Sequence, residues 1–355
     1  MSDELQNLRV QIDGIDDALL KLISERAQVA QTIGRLKQGS VYRPEREAQV
    51  LRRIKEINPG PLSGEAAARL FREIMSACLA LEKPLTVAYL GPQGTFSQAA
   101  ALKQFGHAAQ TADCASIDEV FRSVAANQVD YGVVPVENST EGAIGRTLDL
   151  LLNTPLKICG EVVLRVHQHL LRKTAGLEKI QIVYSHPQSF AQCHEWLNQN
   201  LPNVKRVNAA SNADAARLAA AEGEITAAIA GEGAAEHYQL QMVAQNIEDE
   251  PDNTTRFLVL GDHDATPSGR DKTSMVIAAP NQPGAMHTLL GPFARNSVSM
   301  TKFESRPSGA GLWDYVFYVD VEGHQLNAPV ANAIAELKGL APLLKVLGSY
   351  PVAVL

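Results

Sequence analysis

Four stretches of this chain set hydroxyls, amides and a guanidinium beside short apolar runs, and a fifth group sets cations at helical spacing. Asn253-Thr254-Thr255-Arg256 stands just before the run Phe257-Leu258-Val259-Leu260-Gly261. Hydroxyls and an arginine on such a lip are placed to meet a ligand where a strand borders a cleft, although an ordinary turn before a strand has the same composition. Gly91-Pro92-Gln93-Gly94-Thr95-Phe96-Ser97 offers backbone N–H groups and hydroxyls to an anion, or else a plain strand-to-helix turn with a hydroxyl cap. Glu137-Asn138-Ser139-Thr140 follows Val133-Val134-Pro135-Val136, and Ser185-His186-Pro187-Gln188 follows Ile182-Val183-Tyr184. Singly, Asn138 or His186 reads as a structural hydrogen-bonder; four polar loops at strand ends together read as a ligand cleft.

The cations are Arg9, Arg26 and Lys37, followed by Arg46 with Glu47. On a straight helix Arg9 and Arg26 stand roughly 25 Å apart, too far to hold one small ligand. Arg26 and Lys37 differ by nearly whole turns and share a face. Arg9 then reaches the pocket of a partner chain; the alternative is a solvated face with ordinary salt bridges.

The elements that must position these groups follow from periodicity. Leu5, Leu8, Ile12, Ile15, Leu19, Leu22, Val29, Ile33 and Leu36 keep a helical period far beyond the usual globular length. A second helix opens at Pro44, a good first helical residue, and a third runs from about Ser63 to Leu81. Three such helices in about 80 residues lack a core of their own, which predicts an interlocked helical homodimer or higher oligomer. From Thr86 to Leu260 strands alternate with helices, predicting two α/β lobes on mostly parallel sheets. Asp262 to Arg270 is polar and turn-rich and reads as a linker. Beyond it the order βαββαβ predicts a ferredoxin-like fold.

Composition narrows the partners. With 355 residues, 45% of them hydrophobic, the chain can bury a sizeable core in two or three domains. A net charge of -7 offers no broad basic surface for nucleic acid or anionic lipid. Cys78, Cys114, Cys159 and Cys193 have no metal-site or disulfide spacing and read as buried thiols of a reducing compartment. With no signal-like start and no long apolar run, the expectation is a cytoplasmic protein whose partners are small metabolites or other proteins.

Three resemblances attach to these residues. Leu8-Arg9, Ile12-Asp13, Ile15-Asp16, Glu25-Arg26, Gly34-Arg35-Leu36-Lys37 and Tyr42-Arg43-Pro44-Glu45-Arg46-Glu47 resemble the all-helical chorismate mutases of the AroQ type. That implies a site where Arg9, Arg26, Lys37, Arg46 and Glu47 hold chorismate. The family pattern has Ser at the place of Cys78 and Gln at the place of Glu82. An ionised Glu accepts only, so to donate to the ether oxygen of chorismate Glu82 must work protonated, beside Lys37. The four polar loops together look like prephenate dehydratase, which implies a two-lobe framework like that of periplasmic binding proteins. Its carry-over covers Thr95, Ser97, Glu137, Asn138, Ser139, Ser185, Gln192, Thr255 and Arg256, with Thr255 aiding loss of the ring hydroxyl and Arg256 holding the side-chain carboxylate. Asn281, Pro283-Gly284-Ala285-Met286 and Glu304-Ser305-Arg306-Pro307 resemble the phenylalanine-binding ACT domain, with Met286 at a usual Leu. The reading is therefore multidomain: an all-α mutase domain over 1–83, a two-lobe α/β dehydratase domain over 85–262 and an α+β ACT domain over 271–350. It makes chorismate and prephenate the substrates and L-phenylalanine the inhibitor, and the chemistry it implies needs no metal or organic cofactor. The competing class, a two-lobe amino-acid-sensing or solute-binding protein without catalysis, accounts for the cleft but not for the helices.

Overall fold

The computed structural model describes residues 2–36, 42–280, 282–308 and 315–355, so the expectations for Lys37 and Asn281 lie outside the described residues. The N-terminal part is α1 (Ser2–Leu36), α2 (Pro44–Ile57) and α3 (Gly64–Ala80). Pro44 opens α2, and Ser63 caps α3 by accepting from the Ala66 N–H at 3.1 Å. α2 and α3 pack on each other, but the apolar stripe of α1 is left open: Leu8, Ile15 and Leu19 are half exposed or more. Among the described residues no helix is long and apolar enough to cross a membrane.

The middle of the chain forms two lobes. The first holds β1 (Thr86–Leu90), α4 (Phe96–Phe105), β2 (Gln110–Cys114), α5 (Ile117–Ala125), β3 (Tyr131–Asn138), β4 (Gly142–Ala143), α6 (Gly145–Asn153) and β5 (Lys157–Arg165). The second holds β6 (His169–Arg172), β7 (Ile182–Ser185), α7 (Pro187–Gln192), α8 (His194–Asn200), β8 (Lys205–Asn208), α9 (Asn212–Glu222), β9 (Thr226–Ala230), α10 (Glu232–Tyr238) and β10 (Gln241–Ala244). The chain then returns to the first lobe as β11 (Thr254–Gly261). The sheets run β2-β1-β3-β11-β5 and β10-β6-β9-β7-β8. They are less parallel than expected, because the returning β11 inserts antiparallel between β3 and β5, and β6 pairs antiparallel with β9 and β10. Where the lobes join, Val166 N donates to Asn253 O and Ile247 N to Gln168 O, both at 2.8 Å.

The C-terminal part is β12 (Asp271–Ala278), α11 (Ala285–Arg295), β13 (Met300–Pro307), β14 (Tyr315–Glu322), α12 (Ala328–Lys338) and β15 (Leu343–Pro351), in the sheet order β13-β14-β12-β15. This is the expected βαββαβ arrangement. Its sheet does not hang on a free linker. Val276, Tyr318 and Leu347 join Val134, Ile158 and Leu258 of the first lobe in one buried core. The approach is so close that a Cβ on Gly348 would lie 2.2 Å from the Ile158 carbonyl oxygen. The helical part is tied in likewise: Tyr42 packs against Phe105 and Tyr131 at ring separations of 5.0 and 5.3 Å.

Candidate active sites

A cavity of about 390 Å³ opens between the two lobes. The N-termini of α4, α7 and α9, capped by Thr95, His186 and Ser211, all open onto it. Thr95 spends its hydroxyl on the cap, accepting from Gln98 N and donating to Leu90 O at 3.1 Å. Ser97, Asn138, Gln192 and Thr255 also line the cleft. Among the described lining residues there is no Lys or Arg and one carboxylate, Glu141. An anion in this space is therefore met by hydroxyls, amides, backbone N–H groups and the His186 ring rather than by a Lys or Arg.

The orientation of these donors is set by hydrogen bonds. Asn138 Oδ1 accepts from Thr140 N at 3.1 Å, from Thr140 Oγ1 at 2.6 Å and from Glu141 N at 3.3 Å. Its amide nitrogen must then face the other way, where it donates to Thr255 Oγ1 at 2.9 Å. Thr255 Oγ1 thus accepts from Asn138, and its own proton is left for the cleft. Across the cleft, Gln168, Ser189, Gln192 and Asn212 form one polar net: Gln168 Nε2 donates to Ser189 Oγ and Gln192 Oε1, and Asn212 Nδ2 donates to Ser189 Oγ at 2.8 Å.

Four expected site residues are not brought to the cleft. Thr255 and Arg256 lie inside β11 rather than ahead of it, and strand alternation sends them to opposite faces. Arg256 donates from Nε to Glu161 at 2.8 Å, from Nη1 to Asp320 at 2.6 Å and from Nη2 to the Tyr350 hydroxyl at 2.8 Å. Burial works against that charge, but Tyr350, Asp320 and Glu161 outweigh it and hold the guanidinium pKa above its usual value. Glu137, paired with Arg256 in the β3–β11 register, shares the turned-away face and meets Lys302 at 3.0 Å. Ser139 closes the strand pair, accepting from Thr254 N and donating its own N–H to Thr254 O, both at 2.9 Å. Ser185 is fully buried and hydrogen-bonds Asn212 and Ile229 behind the cleft wall.

A second cavity, of about 370 Å³, lies on the helices and is lined by Arg26, Tyr42, Arg46, Glu47, Cys78 and Glu82 among others. Glu82 sits just past the end of α3, where the absence of a side chain at Gly34 makes room: a Cβ there would lie 2.4 Å from its carboxyl carbon. Burial raises the pKa of Glu47, while Arg72, 3.2 Å away, opposes the rise. Arg72 also donates to the carbonyl of Lys103 near the C-terminal end of α4. Helix α4 therefore begins at the cleft and ends against Arg72, the partner of the pocket residue Glu47. Arg9, far along α1, does not line this pocket.

Family models match the chain in three consecutive parts: chorismate mutase type II over residues 8–83, prephenate dehydratase over 87–265 and the ACT domain over 273–339. Over 347 residues it is 58% identical to the bifunctional chorismate mutase/prephenate dehydratase of Neisseria gonorrhoeae, covering 97% of this chain and 96% of that relative. The chain belongs to the bifunctional chorismate mutase/prephenate dehydratase family. The member from Stutzerimonas stutzeri is 53% identical over 363 residues, covering 100% of this chain and 99% of the relative. The prephenate dehydratase of Arthrobacter aurescens, solved in complex with L-Phe, superposes with a TM-score of 0.69 at 35% identity over 75% of this chain and 90% of that one.

In this bifunctional family member, the ACT residues expected to bind an effector lie on two elements. Gly284, with φ +77°, caps α11; Ala285 is buried beneath it and Met286 packs on the ACT core. Glu304 and Ser305 lie on β13, the edge strand of the ACT sheet. The dehydratase cleft also contains residues that sequence reasoning missed: Gln168, Ser189, Asn212 and, as a side chain facing the site, Asn253. Gln168 had no local signal, since it lies in the lobe junction. Asn212 was detectable as the first residue of a Ser-capped helix beside a strand end.

Proposed function

We propose that the helical pocket rearranges chorismate to prephenate, that the cleft converts prephenate to phenylpyruvate, and that L-phenylalanine acts on the ACT part as feedback inhibitor. In the pocket, Arg26 and Arg46 hold carboxylates, Glu47 accepts from the substrate hydroxyl, and Lys37 and a protonated Glu82 donate to the ether oxygen as its bond breaks. Arg9 completes the pocket of a second copy, since the open apolar stripe of α1 matches a helical homodimer. In the cleft the ring carboxylate leaves as CO2, its electron pair enters the ring, and the ring hydroxyl departs and takes a proton to leave as water. Thr255 donates to that departing oxygen, while Ser97 and Gln192 position the dianion with the helix N-termini, and Thr95 serves by capping α4. The L-Phe complex of the Arthrobacter aurescens relative supports the effector, with Pro283 to Met286, Asn281, Glu304 and Ser305 as its contacts.

The observation that carries the cleft reading is the Asn138 to Thr255 hydrogen bond, which turns the threonine proton toward the substrate. The test is to follow chorismate and prephenate turnover separately in the parent and in Thr255→Val. Losing one preorganised donor costs about 10²–10³ in kcat. Prephenate turnover should fall by that factor with chorismate turnover intact; full prephenate turnover in the variant would remove Thr255 from the chemistry.

A further inference from the structure

Asn253 sits where the chain re-enters the first lobe, one residue before β11. It is only 2% exposed, it lines the cleft, and its amide nitrogen has no hydrogen-bond partner among the described residues. Its orientation is not arbitrary. The Asn138 amide nitrogen, held in place by the donors on Asn138 Oδ1, gives hydrogen bonds both to Thr255 Oγ1 and to Asn253 Oδ1, at 2.9 and 2.8 Å. Asn253 must therefore present its oxygen to Asn138, which leaves its NH2 group as the unmatched end. A buried donor without an acceptor is costly, and a ligand oxygen arriving there removes the cost. Because one nitrogen serves both side chains, Asn253 and Thr255 are immediate neighbours on the same wall.

We infer that the Asn253 amide nitrogen is a second donor to the departing hydroxyl oxygen of prephenate, beside the Thr255 hydroxyl; the inference rests on the cleft reading given above. As the carbon–oxygen bond breaks, its electron pair stays on that oxygen, which must gather charge before it is protonated. A threonine is too weak an acid to give its proton early. A second hydrogen bond from Asn253 stabilises the growing charge in a cleft without Lys or Arg among its described lining residues, and transfers no proton itself. Asn253 is thus assigned as a catalytic residue in contact with the reacting oxygen.

Asn253→Ala separates this role from a structural one, because it removes the donor without adding charge and leaves the Asn138 amide nitrogen its acceptor on Thr255 Oγ1. Prephenate kcat should fall about 10²-fold with KM changed little and chorismate turnover unchanged. Parent kcat, or a loss confined to KM, would overturn the assignment. If Asn253→Ala also loses chorismate turnover, Asn253→Leu, of nearly the same shape as Asn and likewise without a donor, takes its place under the same criterion. Thr255→Val measured alongside separates the two claims: a fall in that variant alone refutes only the role of Asn253, whereas parent kcat in both refutes the cleft reading itself.

Discussion

The cleft between the lobes and the helical pocket, each proposed above to take a dicarboxylate, are built from opposite materials. The pocket sets Arg26 and Arg46 on helices beside Glu47. The cleft offers hydroxyls, amides and helix N-termini, with no Lys or Arg among its described lining residues. A guanidinium attracts a carboxylate from any direction and over several ångströms, so it tolerates a helical frame that is open along α1. A hydroxyl or amide acts only within about 3 Å and along its own axis, so it must be oriented beforehand. The mixed sheet supplies that orientation: the β3–β11 register sets Asn138 beside Thr255, and the turn after β3 locks the Asn138 amide. Neutral recognition needs a closed fold in one chain, while cationic recognition can be shared between two.

The sharpest test of that contrast is to spoil the open helix. Ile15→Lys with Leu19→Lys puts charges on the exposed stripe of α1. Chorismate turnover should fall to background and light scattering should report a smaller particle, while prephenate turnover persists. Equal loss of both activities would show that the cleft too depends on assembly. Thr255→Val comes next, at the factor given above. A third test addresses the other face of β11. Arg256→Met leaves Glu161 and Asp320 buried with less countercharge, and breaking a buried pair in this way costs about 3–5 kcal/mol. Lys272, 3.0 Å from Glu161, should keep the loss toward the lower end. Urea unfolding should show it, together with weakened phenylalanine inhibition; undiminished stability would mean that the network does not hold the ACT sheet to β11.

The smallest expected effect is a pH dependence. Burial raises the Glu47 pKa in the folded chain, so the folded state binds this proton more tightly than the unfolded one. Its contribution to stability is complete below the ordinary carboxylate pKa of about 4.3 and is lost as pH rises through the raised folded value. Glu47→Gln has no such proton. Comparing urea midpoints from pH 4 upward, the parent should lose stability relative to Glu47→Gln across that window. Parallel curves would place Glu47 in contact with solvent or fully compensated by Arg72.

Much of the fold was legible because it rests on local rules. The long amphipathic helix, Pro44 at a helix start, the third helix beginning near Ser63 and the βαββαβ order all depend on residues a few positions apart. The polar motifs at strand ends were legible too, and Thr95, Ser97, Asn138, Gln192 and Thr255 do line one cleft. The misplacements of Arg256 and Glu137 share one cause. Both were read as loop residues, free to turn toward a ligand, but β3 and β11 continue through them, and alternation decides their face.

Residue order alone thus determined the kinds of elements, their sequence along the chain, and the chemical groups available at each strand end, since these follow from spacing over a few residues. Only the tertiary structure decided that the ACT sheet shares a core with the first lobe, that Arg256 belongs to that junction, and that Asn253 stands beside Thr255 with an unmatched donor. Those outcomes depend on strand register and on hydrogen bonds between residues more than a hundred positions apart, such as Asn138 with Asn253 and Thr255, and no local pattern encodes which of two faces a side chain will meet.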